Sequence, residues 1–259
     1  MSKGAVPQCG GERERADHLQ PSRIRMWRGL ILICAVGAIL TALHPVNRKL
    51  LNIALLSWIG LIWFGCLMLA WERKPFLIGV CLVPVVAVIP FCLPAGRIDG
   101  AELREDYLRR MTQFEGTTYV WGGENSLGID CSGLPRRALR DALLANGVRH
   151  ANGTAFRSCI EQWWFDASAR ALGKGYRDYT QPLAPKGNIR EMEYEFLVPG
   201  DLAVTVSGVH ILVYAGDERR IQADPKIGSV ATLNGRSSDN DWFDTPVTTH
   251  RWQLFAERE

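Results

Sequence analysis

Apolar residues crowd into three long runs before residue 95 and fall into short periodic patches after it. Leu50 to Trp71 holds 22 residues without a charge, and Pro75 to Leu93 a further 19. Either is long enough to cross a hydrocarbon core of about 30 Å as a helix, and Pro84 and Pro90 predict kinks in the second. The first run is shorter. Gly29 to Leu43 supplies 15 clean residues, and Met26 to Leu43 reaches 18 by including Arg28, whose side chain can snorkel to the headgroups. A cleaved signal peptide would explain the first run but not the two behind it. The pattern predicts a polar, basic leader over residues 1–25, about three transmembrane helices over 26–95 and a soluble domain over 96–259.

Basic residues suggest an orientation. Lys3, Arg13, Arg15, Arg23, Arg25 and Arg28 precede the first span, and only Arg48 and Lys49 follow it. That contrast favours a cytoplasmic N-terminus, although counting every flank narrows it to eight basic residues inside against six outside. An odd number of spans then places the soluble domain outside the cytoplasm, in a multi-pass membrane protein whose helices have the lipid bilayer as partner.

Within the soluble part, Leu103, Tyr107 and Met111 repeat at helical spacing across Ala101 to Phe114. A glycine-rich loop, Tyr119 to Ile129, leads into a helix expected from about Cys131 to Asn146, with Gly147 as its stop. Pro135 falls near the first turn, where a missing N–H is tolerated. Thr154 to Leu172 reads as a further helix and residues 175–196 as an irregular loop. Asn152-Gly153-Thr154 matches a glycosylation acceptor, a weak three-residue pattern. After Pro199-Gly200 the period changes to two: Leu202 to Val206, Val209 to Tyr214 and Arg219 to Ala223 read as strands, and the region near Trp252 to Phe255 as a last one. Helices followed by antiparallel strands give an α+β domain.

Composition narrows the chemistry. The net charge is only +3, and Arg136, Arg137 and Arg140 read as a solvated helix face, so nucleic acid is not an expected partner. Of seven cysteines, Cys34, Cys66, Cys81 and Cys92 lie in apolar runs, where cysteine acts as a small hydrophobe. Cys9 lies in the leader. Cys131 and Cys159 remain, without metal-ligand spacing, so no metal and no cofactor are expected.

Asp130-Cys131-Ser132-Gly133 stands where the glycine loop enters a helix. There the dipole and free N–H groups are expected to lower the thiol pKa and to stabilise an oxyanion. A nucleophilic thiol needs a base. His150 follows the helix in a polar turn and His250 lies near the terminus, whereas His210 sits in an apolar strand on one face with Leu212 and Tyr214. If the strands around Gly216 form a hairpin, His210 and Gln222 lie equally far from its centre and face each other, so the amide would orient the imidazole. A one-residue slip would break that pairing, and Asp224 is the alternative orienter.

Gly116-Thr117-Thr118-Tyr119-Val120-Trp121-Gly122-Gly123, followed by Gly128-Ile129-Asp130-Cys131-Ser132-Gly133-Leu134, resembles the signature of the NlpC family of papain-like cell-wall peptidases. Gly200-Asp201-Leu202 and His210-Ile211-Leu212-Val213-Tyr214 resemble its second block, and the similarity covers roughly residues 101 to 225. The resemblance implies a papain-like fold with Cys131 as nucleophile, His210 as base and Gln222 as third polar residue. It also implies that Tyr119, Asp130 and Ser132 line the cleft or bind substrate. The reaction it implies is hydrolysis of peptide or amide bonds in peptidoglycan stem peptides, often between D-glutamate and a diamino acid. Three departures stand out: glutamine where histidine is common, Pro135 after Ser-Gly-Leu, and a long stretch from His150 to Leu197.

Two other functions fit less well. A papain-like amidase or acyltransferase would act on a non-wall amide or a lipid acyl group, since fold alone does not fix chemistry. A non-catalytic membrane scaffold would not need cysteine, histidine and an orienting amide together.

Overall fold

The computed structural model describes residues 11–256. Lys3 and Cys9 of the leader lie outside them. The chain divides into two compact units, one of Met1–Ala42 with Ile53–Ala87, the other of Leu43–Asn52 with Val88–Glu259.

The first unit is helical. Helices α1 (Gly11–Leu43), α2 (Lys49–Ala70) and α3 (Lys74–Cys92) supply its residues, and Ser22–Leu43, Lys49–Ala70 and Lys74–Cys92 are each long and apolar enough to cross a membrane. Helix α1 begins at Gly11, among the residues of the basic leader. Small residues bring α1 and α2 together: a Cβ on Gly37 would meet the Trp58 ring at 2.9 Å. Trp27 and Phe64 meet edge to face at 5.8 Å. In lipid such close packing replaces the missing hydrophobic drive between helices.

The second unit is α+β, as the periodicities predict. Helix α4 (Gly100–Thr112) starts at Asp99, whose carboxylate accepts from the N–H groups of Ala101 and Glu102. A two-residue hairpin follows, β1 (Glu124–Asn125) with β2 (Gly128–Ile129), and then α5 (Gly133–His150), α6 (Gly153–Trp164) and the single turn α7 (Ala169–Leu172). The sheet contains β3 (Thr180–Gly187), β4 (Leu202–Thr205), β5 (Ile211–Gly216), β6 (Arg219–Asp224), β7 (Ser229–Asn234) and β8 (Val247–Trp252). Its order is β3-β8-β4-β5-β6-β7, with every pair antiparallel. The core lies between α4, α5 and one sheet face, around Leu103, Tyr107, Met111, Leu134, Leu139, Ile211 and Val213. A smaller cluster with Leu212, Tyr214 and Phe243 covers the opposite face.

Several local expectations are corrected. Helix α5 starts at Gly133 and runs through Gly147 to a left-handed stop at Ala151. Gly147 serves packing instead, since a Cβ there would lie 3.1 Å from the Phe156 ring. The helix expected over Thr154–Leu172 breaks after Trp164, where Asp166 leaves the axis to pair with Arg136 and Ser168 caps the next turn. Residues 175–196 hold a strand, β3. Its Pro182 and Pro185 disguise it, and proline is tolerated there because β3 is an edge strand with a register shift. Strand β7 has no counterpart among the expected strands, and the last strand ends at Trp252 rather than beginning there. Asn152 caps α6 and is buried, with its amide donating to Arg97 O, which leaves no open glycosylation acceptor.

Candidate active site

The glycine loop is organised around one carboxylate. Asp130 Oδ2 accepts from Gly122 N at 2.8 Å. Its Oδ1 accepts from Ser132 N at 2.9 Å, Ser132 Oγ at 3.0 Å and Gly133 N at 2.5 Å. The loop is thus tied to the first turn of α5, with Cys131 held between. Glycine is required at 133, where a Cβ would collide with the Gly123 carbonyl, and at 122, where φ is +75°. The segment before the loop is fixed as well: Gly116 N donates to Val230 O and Val230 N to Thr117 O, which covers the β7 edge of the sheet.

Cys131 faces the start of β5. Its Sγ lies 3.7 Å from Val209 O, and backbone N–H groups nearby, that of Ile211 first, act on the sulfur in favour of the thiolate. His210 is therefore bracketed by the two residues that touch the thiol. The turn before it is pinned by Thr205, whose Oγ1 accepts from His210 N at 3.1 Å.

The hairpin brings Gln222 to His210 in a different register from the expected one. Asp217 and Glu218, both with positive φ, form the turn, and the ladder shifts between Tyr214 and Gly216. Val213 pairs with Ile221, so in that register Gln222 stands opposite Leu212. The offset is two residues, which leaves the same side chains on the same face. Gln222 then reaches His210 diagonally, with Oε1 2.6 Å from Nε2.

Asp224 is not an alternative to Gln222 but its continuation. Gln222 Nε2 donates to Asp224 Oδ2 at 3.1 Å, and Asn240 Nδ2 donates to the same oxygen at 2.7 Å. An ionised carboxylate only accepts, so the amide must turn its oxygen to His210. The proton then sits on Nε2, and the lone pair is at Nδ1. Asn240 Oδ1 also accepts from Trp242 N, holding the short turn Asp241–Phe243, and Trp242 stacks on the His210 ring at 4.1 Å. Neither Asn240 nor Trp242 is visible as a site residue in the sequence, because nothing local marks a stacking partner 32 residues downstream.

Burial overturns the expected thiolate. Cys131 and His210 are 6% and 1% exposed. Desolvation, followed by the Asp130 charge, pushes the thiol up to about 12, against the three N–H groups that pull it down. Burial also takes His210 down to about 4, against Gln222 and the charges of Asp224 and Asp130. Both groups rest neutral at pH 7. The free N–H groups expected at the helix start are also mostly occupied, since those of Ser132 and Gly133 are given to Asp130.

The other predicted positions separate. Asp130 and Ser132 line a cleft of about 410 Å³ with Cys131. Their polar atoms bond to each other and to the loop. Tyr119 is half-buried against the core, its hydroxyl pushed upward first by burial and then by nearby negative charge, including that of Asp130. His150 bonds Glu102 and His250 bonds Thr248, each away from the thiol. Cys159 sits on α6 with its thiol toward Arg140 O, and all cysteines among the described residues are free.

The family model described as NlpC/P60 family matches residues 116–247, just over half of the chain. No curated protein gives a match. Solved structures similar to this chain include NlpC1 from Trichomonas vaginalis, at 18% identity and a TM-score of 0.40, covering 60% of this chain and 45% of that one. An NlpC/P60 family protein from Bacillus cereus matches at 15% identity and a TM-score of 0.38, covering 62% and 41%. The peptidoglycan hydrolase RipB from Mycobacterium tuberculosis matches at 20% identity and a TM-score of 0.36, covering 62% and 70%. The chain spans less than half the length of the first two.

Proposed function

This chain belongs to the NlpC/P60 family, and we propose that it is a membrane-anchored cysteine peptidase that hydrolyses peptide or amide bonds in peptidoglycan stem peptides. Members of the family are cysteine peptidases and peptidoglycan hydrolases. The observation that carries the reading here is the series His210, Gln222, Asp224, which leaves the imidazole lone pair at Nδ1, with the Cys131 thiol lying against Val209 O, next to His210 in the chain.

With both groups neutral at rest, thiol deprotonation accompanies attack. His210 Nδ1 takes the Cys131 proton as Sγ adds to the scissile carbonyl, and Gln222 holds the ring through Nε2. The Cys131 N–H is the backbone donor assigned to the oxyanion in this mechanism. Collapse passes the proton from His210 to the leaving amine. Water then enters, gives a proton to His210 and releases the acyl group, restoring the thiol. Asp130 acts by fixing the loop and Ser132 by lining the cleft, with Tyr119 packed against the core.

Three spans anchor the domain. Residues 44–48, between α1 and α2, pair with the domain that follows α3, for Val46 bridges Gly123 and Asn47 N donates to Gly122 O at 3.0 Å. This requires loop and domain to share one side of the bilayer, as an odd number of spans does. The basic residues ahead of α1 then assign that side as extracytoplasmic. The natural divisions are the leader and spans up to residue 95 and the peptidase domain from 96 onward, with residues 43–52 joining the latter.

The test uses the full chain in detergent, because truncation at residue 96 would remove residues 43–52. Purified peptidoglycan and synthetic stem peptides are incubated with the protein and with Cys131→Ala. Stem fragments absent from the Cys131→Ala reaction support the reading. Intact substrates with a folded, reduced protein would refute it and direct attention to other amides or acyl groups.

A further inference from the structure

We propose that the connection Val46–Arg48 is a wall of the Cys131 cleft, and that Arg48 and Arg170 form a cationic clamp for a carboxylate on the bound ligand. The choice of a stem peptide as that ligand rests on the peptidase reading above; the clamp itself does not.

The connection is built into the domain. Beyond the Val46–Gly123 bridge, Glu124 N donates to Pro45 O at 2.8 Å, and a Cβ on Gly122 would lie 3.2 Å from Val46. Asn47 donates its amide to the Glu124 carboxylate, which is buried and also faces Arg136 and Arg140, each at 3.4 Å. A strand-like pairing on one side and a buried carboxylate on the other hold the segment in place.

Val46, Asn47 and Arg48 line the cleft together with Asp130, Cys131 and Ser132. Arg136, Arg170 and Asp166 line it too. The charges among these residues do not cancel. Three arginines face two carboxylates: Asp166 pairs with Arg136, and Asp130, held by N–H donors, keeps the charge that acts on Cys131. Arg170 gives one N–H to Ser207 O at 3.2 Å, and neither it nor Arg48 has a carboxylate partner among the described residues. Both are exposed. Arg48 and Arg170 outweigh the single unpaired carboxylate, Asp130, so the lining as a whole favours an anion in the concavity, and their forked donors match a carboxylate. Arg48 lies outside residues 116–247, so this recognition comes from how this chain joins its helices to its domain.

The test needs no knowledge of the natural substrate. Cys131 in the full chain is alkylated with iodoacetate, an anion, and with iodoacetamide, its neutral counterpart, and the rates are read by peptide mapping. The clamp predicts that Arg48→Gln with Arg170→Gln lowers the iodoacetate-to-iodoacetamide rate ratio about tenfold, and that Arg48→Lys with Arg170→Lys keeps most of it. An unchanged ratio in the glutamine variant overturns the proposal. A second arm compares a stem peptide bearing a free carboxylate with its amide. The glutamine variant should raise KM for the acid about tenfold more than for the amide. A shifted alkylation ratio with neither peptide cleaved by the unaltered protein would leave the clamp standing and remove the peptidase reading.

Discussion

Asp224 sets the tautomer of His210 through a single amide. Gln222 donates to Asp224 Oδ2 at 3.1 Å and accepts from His210 Nε2 at 2.6 Å, so the carboxylate decides which imidazole nitrogen keeps its proton. Asparagine at 224 can either donate or accept and removes that decision. Asp224→Asn is expected to lower kcat by about ten- to a hundredfold, toward the low end of what a misplaced general base costs, with a smaller effect on KM. Steady-state hydrolysis of a stem peptide reads both; an unchanged kcat would show that the amide orients itself.

Activity should extend into acid. His210 must be neutral to accept the thiol proton, and its pKa is lowered to about 4. The acid limb of kcat/KM is therefore expected near pH 4 instead of near 6.5. A limb at 6 or above would contradict the buried, neutral histidine.

The same shift links stability to pH. In the unfolded chain the histidine protonates below about 6.5, while folded His210 resists until about 4. The unfolded state binds more protons in that window, so stability falls as pH drops through it and is unaffected by this group above it. The full effect is on the order of 3 kcal/mol. His210→Gln should flatten the fall in Tm between pH 6.5 and 4, measured by thermal unfolding in detergent.

Trp242 keeps water off the His210 ring by stacking at 4.1 Å. Desolvation is the main cause of the lowered pKa, so Trp242→Ala should move the acid limb upward, toward 6.5. A fall in activity with no movement of the limb would assign the ring a substrate contact instead.

Glu124 is buried opposite two arginines and also holds Asn47. Glu124→Gln leaves buried positive charge uncompensated, a change worth about 3–5 kcal/mol in comparable cases. Thermal unfolding should show a lowered Tm. Alkylation of Cys131 should also lose part of its preference for iodoacetate, because Arg48 is no longer anchored.

Cys131 and His210 were legible because each sits in a locally distinctive pattern, a glycine loop entering a helix and a polar residue in a period-two apolar strand. Gln222 was reached by counting from the hairpin centre. The count was two residues off, and it still found the right partner because an even shift preserves the face. Strand β3 was hidden by Pro182 and Pro185, whose fit depends on lying at the sheet edge. Gly147 read as a stop although it is a packing contact with Phe156 on a neighbouring helix.

The sequence by itself determined three apolar helices of spanning length, the α+β order of elements and the Asp-Cys-Ser-Gly turn, since length, period and glycine placement act over a few residues. Only the tertiary structure decided that Cys131 and His210 rest neutral, that Asp224 stands behind Gln222 and that Arg48 reaches the cleft. A helix terminus acts on a thiol locally, but desolvation sums over every segment packed around it, and here those segments come from distant parts of the chain.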